Sequence, residues 1–427
     1  MRPAVFPLVP DFIRRAAAPA FVSLLLAGAL AAQTPYDLLL KNGHVIDPKN
    51  NIDRVEDVAI SNGKIARVAP NIAASQAKQT VDATGLYVTP GLIDIHTHVY
   101  VWQDMAGEGV QPDAFSFRSG VTTMVDAGSS GADSFADFRD RIIKHSKTRV
   151  LAFLNIVHAG MGTGHENDPA QMDFEAAARV AKANPDIIVG FKSAHYAGPG
   201  WASVDGAVKA GNLTGLPVMV DFGQITATRN INALFLDHLR PGDIYTHCFS
   251  GHRDELLATG KLNPAMEAGR KRGIIFDIGF GAGSFYWYVA VPAYAEHFYP
   301  DSISSDLHTS SMNGGMKTIP NVMSELMSLG SSVQDVVRMT TSAPAKEIHH
   351  PQLGNLDPGA DADIAVLRVE HGNFGYLDSA LARKSGTEKV TCELTLRAGK
   401  VMWDLNGLAS QDWTTFPYQK HWLQPQK

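Results

Sequence analysis

The chain is poor in cysteine and in charged residues. Cys248 and Cys392 are the two cysteines among 427 residues. We place them in different domains, so we expect two buried free thiols rather than a disulfide. Charged residues make up 19% of the chain, and the formal net charge is -6. No basic stripe indicates nucleic-acid binding and no acidic run indicates a disordered tail, so chemistry on a small molecule is favoured.

The N-terminal apolar run is too short to be a typical membrane span. It extends from Ala16 to Leu30, follows Arg14 and Arg15, and ends in small residues. This is the layout of a cleavable secretory signal. We predict a signal peptide over residues 1–32 and an exported enzyme, periplasmic or secreted, with no membrane association after cleavage. An uncleaved anchor is the alternative, and the lack of a following cysteine argues against a lipoprotein.

Short alternating strands separated by turn residues are predicted at both ends of the mature chain. Asn42-Gly43 and Asn62-Gly63 lie between apolar runs, which is a strong hairpin signal. A similar pattern returns near the C-terminus, where Ala362–Leu367 is an apolar run. We predict that residues 33–89 and 347–427 together form one small β-sandwich.

Apolar strand-like runs alternate with helical patterns between residues 90 and 346. A helix is predicted over 174–181, ended by Asn184-Pro185, and Ser331 with Gln334 resembles a capping box at the start of another. Strands alternating with helices indicate a parallel sheet, and eight strands indicate an α/β fold of the (β/α)8 TIM barrel type. An open doubly wound sheet is the alternative, but no suitably placed Gly-x-Gly-x-x-Gly favours it. The eight runs are Leu92–His96, Val121–Asp126, Val150–Val157, Ile187–Lys192, Pro217–Asp221, Ile244–His247, Ile274–Ile278 and Ile303–Asp306.

His96-Thr97-His98 ends the first of these runs. Alternate residues of a strand point the same way, so the two imidazoles would lie side by side, as suits a divalent metal. The pair by itself could also be a polar strand end. In a TIM barrel the chemistry lies at the carboxyl ends of the strands, and polar residues follow one strand after another here. Together they predict a metal site among His96, His98, Asp126, Asn155, His158, Lys192, Asp221, His247, Asp306 and His308.

Several motifs resemble those of the amidohydrolase superfamily. Residues 90–98, ending in His-Thr-His, are similar to the signature of its first strand, and residues 359–366 are similar to its return into the β-sandwich. Gly190-Phe191-Lys192 and the segments 243–249 and 303–308 are most similar to the deacetylase and D-aminoacylase-related branch, often labelled dihydroorotase. The resemblance covers nearly the whole mature chain.

The resemblance implies a role for each metal ligand. His96, His98 and Asp306 would hold one divalent metal, and His247 would ligate a second. Lys192 would carry a carbamate, because an ammonium group cannot ligate a cation whereas the resulting carboxylate could bridge two metals. A hydroxide on the metals would be the nucleophile, and Asp306 would be the catalytic base. One or two ions are expected, zinc first and manganese as the alternative.

Two positions depart from the pattern of the family. Asp221 stands where a histidine ligand of the second metal is usual, and we expect it to bind that metal through oxygen. A weak or empty second site, or His195 or His158 as a surrogate ligand, is the alternative. Phe280 stands where the branch often has a histidine, in a Gly-rich stretch expected to line the substrate mouth. The candidates for substrate contact are His158, Tyr196, Phe280, Ser284 and His308.

These residues predict metal-dependent hydrolysis of an amide or ester bond in a small acylated compound. A cyclic amide hydrolase of the dihydroorotase or hydantoinase kind ranks second, because Arg229 is the only nearby arginine that could clamp an acidic ring. A non-catalytic barrel that binds metal or ligand is the third hypothesis, motivated by Asp221 and Phe280. The expected partner is a small-molecule substrate, and homo-oligomerisation is left open.

Overall fold

The structure is a computed structural model that describes residues 35–101, 107–162, 164–221, 223 and 225–418. The described residues between 35 and 418 belong to one compact unit. The predicted signal peptide, residues 1–32, lies outside the described residues. Within the described ranges, no helix is long and apolar enough to cross a membrane.

Strands from both ends of the chain share one eight-stranded sheet, here called the terminal sheet. Its strands are β1 (Tyr36–Asp47), β2 (Ile52–Ser61), β3 (Lys64–Ala69), β4 (Ala77–Asp82), β5 (Tyr87–Pro90), β13 (Ile364–Leu377), β14 (Arg383–Arg397) and β15 (Lys400–Asp404). Their order is β15-β14-β13-β5-β1-β2-β3, with β4 also paired to β1. Ile364 pairs with Pro90, so the C-terminal strands dock on the strand that leads into the central part of the chain. The two-layer sandwich stays a prediction.

The two Asn-Gly pairs of the N-terminal strands have different structures. Asn62-Gly63 forms the turn between β2 and β3, as predicted. The hairpin predicted at Asn42-Gly43 is wrong, because β1 continues through it and pairs with β2 on both sides of an irregularity between Leu40 and Gly43. A Cβ atom at Gly43 would lie 2.4 Å from a methyl group of Val88. The local sequence favours a turn at Asn42-Gly43, but β1 forms a bulge there and packs closely against β5.

A seven-stranded parallel sheet, the central sheet, follows the order β12-β11-β10-β9-β8-β7-β6, so each strand pairs with the next one along the chain. The strands are β6 (Leu92–Thr97), β7 (Val121–Ala127), β8 (Arg149–Asn155), β9 (Ile188–Ser193), β10 (Val218–Val220), β11 (Ile244–Tyr245) and β12 (Ile275–Phe276). The eighth predicted strand is not regular. Isolated parallel bridges join Asp277 to Ser302 and Thr97 to Leu307, so the segment between them reaches both edges of the curled sheet. The predicted α/β class with a parallel sheet is confirmed, and the sheet is curled.

Helices separate most of the central strands. Asp173 caps α3 by accepting the backbone N–H groups of Glu175 and Ala176, and the helix ends before Asn184-Pro185, as predicted. The capping box of α10 is Ser332 with Asp335, so the prediction of Ser331 with Gln334 was one residue too early. The helices are α1 (Pro112–Phe115), α2 (Phe135–Arg141), α3 (Phe174–Ala183), α4 (Ala202–Thr214), α5 (Ile231–Ala233), α6 (Pro264–Arg272), α7 (Trp287–Ala295), α8 (Thr309–Asn313), α9 (Ile319–Met327), α10 (Val333–Thr340) and α11 (Ser342–Glu347).

Candidate metal centre

Side chains from distant strand ends form a compact buried cluster. One ligand atom each from His96, His247 and Asp306 lies within 4.8 Å of the others. Asp306 Oδ1 is 3.4 Å from His96 Nε2 and 3.1 Å from His98 Nε2. Ligands bound tetrahedrally to zinc at about 2.0–2.2 Å lie roughly 3.3–3.6 Å from one another. The described side chains therefore have close to the spacing that a metal requires.

Hydrogen bonds on the far side of two imidazoles set which nitrogen faces the cluster. His247 Nδ1 lies 2.5 Å from the carbonyl of Gly279, which can only accept, so Nδ1 carries the proton. His96 Nδ1 lies 2.9 Å from the hydroxyl of Thr246, and that hydroxyl donates to Asp277. Both rings therefore turn an unprotonated Nε2 inward, as metal ligation requires. Burial lowers the pKa of both imidazoles, which keeps them neutral.

The Gly-rich stretch packs against the cluster itself. A Cβ atom at Gly279 would lie 2.7 Å from His247 Nδ1, and one at Gly281 would lie 2.5 Å from Asp306 Oδ2. His247 and Asp306 adopt left-handed backbone conformations, with φ of 62° and 47°. Such values are uncommon outside glycine and concentrate at functional sites. The stretch predicted to line the substrate mouth thus makes room for two predicted ligands.

Lys192, in β9, is buried within the cluster. Its Nζ lies 3.0 Å from His96 Nε2. Burial lowers the pKa of the Lys192 amine to about 8, although the charges of Asp306 and Asp277 oppose the shift. The amine contacts the same nitrogen that a metal would use, so the free amine and a metal ion compete for His96.

Asp221 follows β10 and reaches the predicted position beside His247. Its Oδ2 lies 3.4 Å from His247 Nε2 and 3.5 Å from His195 Nε2. Its Oδ1 contacts the guanidinium of Arg253, whose side chain is buried. The expectation that Arg229 is the only nearby arginine is therefore wrong. Arg253 lies in an irregular loop after β11, where no strand or helix pattern marks it.

A cavity of about 340 Å³ lies against the cluster and contains one of the five predicted substrate contacts, His308. The Nε2 of His308 is 3.9 Å from Asp306 Oδ2. The other four side chains do not line this cavity. These four residues have contacts elsewhere: the imidazole of His158 with Asp133, the hydroxyl of Tyr196 with the carbonyl of Pro199, the ring of Phe280 with Phe285, and the backbone N–H of Ser284 with the hydroxyl of Ser379.

Two curated deacetylases are similar in sequence to this chain. One, from Agrobacterium fabrum (strain C58), is 33% identical over 326 residues, which is 74% of this chain and 79% of that protein. The other, from Enterococcus faecalis (strain V583), is 30% identical over 377 residues, which is 86% of this chain and 99% of that protein. No family model matches the chain.

Solved structures agree with these relatives. The crystal structure of an adenine deaminase has a TM-score of 0.79 at 29% identity, covering 86% of this chain and 100% of that chain. The crystal structure of a dihydroorotase has a TM-score of 0.76 at 28% identity, covering 86% and 99%. The chain therefore belongs to the amidohydrolase superfamily, in its deacetylase and dihydroorotase-like branch, and is a hydrolase acting on C–N bonds.

Proposed function

We propose that this enzyme is a metal-dependent hydrolase that removes the acyl group of a small acylated compound by cleaving an amide or ester bond. The observation that carries the proposal is the buried cluster of His96, His98, His247 and Asp306. The name deacetylase, given to relatives that match most of the chain, supports acyl removal as the reaction.

The cluster fits a divalent cation such as zinc, with manganese as the alternative. Asp306 Oδ1 lies 3.4 Å from His96 Nε2 and 3.1 Å from His98 Nε2. An ionised carboxylate facing neutral imidazoles is a donor set that suits zinc. His96, His98 and Asp306 would hold one ion, and His247 with Asp221 would hold a second. A bound cation supplies Lewis acidity and lowers the pKa of a coordinated water.

Lys192 is proposed to carry a carbamate. Its uncharged amine would attack carbon dioxide, forming an N–C bond and releasing one proton. The lowered pKa of Lys192 increases the uncharged fraction at neutral pH. In the carbamate, a carboxylate would take the place of the amine that now faces His96 Nε2. The amine would then no longer compete with a metal ion for His96, and the metal would gain an oxygen ligand.

Asp306 is proposed to carry the proton. One of its oxygens faces His96 and His98, and the other faces His308. The carboxylate would accept a proton from the water that attacks the carbonyl carbon. It would then deliver that proton to the leaving nitrogen or oxygen as the bond to the carbonyl carbon breaks.

Cyclic amide hydrolysis is the second candidate, supported by the similarity to a solved dihydroorotase. An acidic ring substrate needs a cation to hold its carboxylate, and bidentate guanidinium groups usually serve this purpose. Arg253 is beside the cluster, but its guanidinium contacts Asp221. Because this guanidinium already has a carboxylate partner, we rank cyclic amide hydrolysis below acyl removal.

The architecture and location are proposed on separate grounds. The curled central sheet, bridged at both edges by residues 302–307, is proposed to work as the predicted (β/α)8 barrel. The basic, apolar and small-residue order of residues 1–32 supports export of the enzyme to the periplasm or medium.

The test is an assay of zinc-loaded protein against small N-acetyl and O-acetyl compounds and against dihydroorotate. We expect release of acetate that is lost with a chelator and restored by zinc. Asp306→Asn should lower kcat by about 10²–10⁴-fold, the usual contribution of a proton-transfer residue, while elemental analysis still finds metal. Asp133→Asn, which alters a carboxylate outside the cluster, is the control. Hydrolysis of the ring only would contradict acyl removal, and an active Asp306→Asn variant would contradict the role of Asp306.

A further inference from the structure

We propose that the cavity beside the cluster selects acylated compounds that carry an amine, accepts neutral ones less well, and disfavours those that carry a carboxylate. This inference rests on the proposed function, because it concerns which acylated compounds reach that site. It follows from the charges that line the cavity and from the partners that those charges already have.

The ionisable groups that line the cavity are one carboxylate, Glu108, and two imidazoles, His195 and His308. Among the described residues of the lining there is no lysine or arginine. The remaining lining residues are uncharged: Met161, Gly162, Ala282 and Ser310. A substrate carboxylate would therefore meet no lysine or arginine among the described residues that line the cavity.

Both imidazoles of the lining already face carboxylates. His308 Nδ1 lies 2.7 Å from Glu108 Oε2. The ring of His195 lies between Glu166, at 3.4 Å from its Nδ1, and Asp221, at 3.5 Å from its Nε2. Neither imidazole is therefore a free cationic clamp for a substrate carboxylate.

The arginines of this region are engaged elsewhere. Arg253 is 8% exposed and contacts Asp221, and it is not among the residues that line the cavity. Arg229 is 3% exposed, and its guanidinium lies over the rings of Tyr196 and Trp201, at 5.2 and 5.6 Å from their centroids. Substrate carboxylates are typically held by two parallel bonds to one guanidinium, and neither side chain is placed to supply them in this cavity.

Glu108 is held in place with its negative charge intact. Its Oε1 accepts the hydroxyl of Ser310 at 2.8 Å, and its Oε2 accepts the backbone N–H of Ser310 at 3.3 Å. Hydrogen bonds from Ser310 and from His308 lower the pKa of Glu108, so the carboxylate is ionised at neutral pH. Its side chain is 37% exposed, so a ligand in the cavity can approach it. An ammonium group gains energy there and a carboxylate is repelled.

Three acetamides of nearly equal size test the proposal on the zinc-loaded enzyme: N-acetylethylenediamine, N-acetylglycinamide and N-acetylglycine. They are a cation, a neutral compound and an anion at neutral pH. We expect kcat/KM to fall in that order, with about tenfold or more between cation and anion, the size of effect that one partly screened charge produces. Glu108→Gln should lower the ratio of cation to anion toward one, and Glu108→Lys should invert it. Glu267→Gln, outside the cavity lining, should leave the ratio unchanged.

The possible outcomes separate this inference from the proposed function. Turnover with the anion preferred, or a cation-to-anion ratio that Glu108→Gln and Glu108→Lys both leave unchanged, would overturn the charge preference and leave acyl removal standing. No turnover of any of the three, nor of the wider acetyl panel, would overturn acyl removal and the preference with it. Circular dichroism and metal content of each variant show whether a lost preference reflects misfolding.

Discussion

At the scale of single residues, the properties of the cluster depend on neighbours as much as on residue type. Lys192 has an amine whose pKa is lowered to about 8 because the side chain is buried. Asp221 has one oxygen beside His247 and the other against Arg253. A buried carboxylate that keeps a cationic partner avoids the cost of an isolated charge. The guanidinium therefore offsets the negative charge that aspartate brings to a position where the family usually has a neutral histidine.

Replacing Lys192 tests the carbamate directly. Lys192→Ala should lower kcat/KM by at least about 100-fold, because a ligand position is emptied. Propionate or butyrate in the buffer should restore part of the activity, since a small carboxylate can occupy the position of the carbamate. Ethylamine should not restore it. Rescue by the amine but not by the acids would show that Lys192 acts as an amine, and Lys209→Ala, outside the cluster, is the control for both additives.

Gly281 tests how tightly the chain packs around Asp306. In Gly281→Ala, a Cβ atom would lie 2.5 Å from Asp306 Oδ2, and the residue has a φ of +62°. Gly85→Ala is the matched control, because Gly85 has a φ of +76° and open space around its Cβ position. Both variants should lose about 1–2 kcal/mol of stability from backbone strain in denaturant unfolding. Gly281→Ala alone should also lose metal affinity and kcat/KM, and equal activity in the two variants would refute the tight fit.

At the scale of elements, α9 carries an acid that the fold buries. Glu325 is 0% exposed, and Asn321, one turn earlier, donates to its Oε1 at 2.9 Å. Its other oxygen is buried and has no hydrogen-bond partner among the described residues. Burial raises the pKa of Glu325 well above its usual value. The fold therefore favours the protonated form of this carboxyl group more than water does.

The ionisation of Glu325 makes the stability of the enzyme depend on pH. Above pH 4.5 the unfolded chain loses this proton while the folded chain keeps it, so this group lowers stability as the pH rises toward its folded pKa. The slope is at most about 1.4 kcal/mol per pH unit. Glu325→Gln cannot ionise, so its melting temperature relative to the wild type should rise as the pH is raised from 5. The exposed Glu175→Gln should show no such trend, and a constant difference for Glu325→Gln would contradict the raised pKa.

At the scale of the whole molecule, the two thiols belong to different parts of the fold: Cys248 follows β11 of the central sheet, and Cys392 lies in β14 of the terminal sheet. Both are buried and free, as predicted. Cys248 is 0% exposed and Cys392 is 5% exposed, and burial raises the pKa of Cys392 to about 12. We expect no reaction with a thiol reagent in the native protein and two reactive thiols after unfolding in guanidinium. Reductant should leave the melting temperature unchanged. A shift with reductant would indicate a disulfide.

The same three scales separate what could be predicted from sequence and what could not. His96, His98, Lys192, His247 and Asp306 end strand-like runs, which predicts a metal site among them, and the resemblance to the amidohydrolase superfamily implies their separate roles as ligands. The structure brings them together, since parallel strands end at the same edge of a curled sheet. Less regular parts are harder to predict: the strand predicted over Ile303–Asp306 is an irregular segment between two isolated bridges, at Ser302 and Leu307.

The sequence by itself determined the alternation of strands and helices, the candidate metal ligands at the strand ends and the two free thiols, because these depend on short-range periodicity and composition. Tertiary structure decided the bulge at Asn42-Gly43, the partner of Asp221 and the charge of the cavity. Glu108 meets His308 across 200 residues of chain, and Arg253 meets Asp221 from an irregular loop. Such contacts exist only after the sheet has curled and brought its loops together, so no local pattern of residues encodes them.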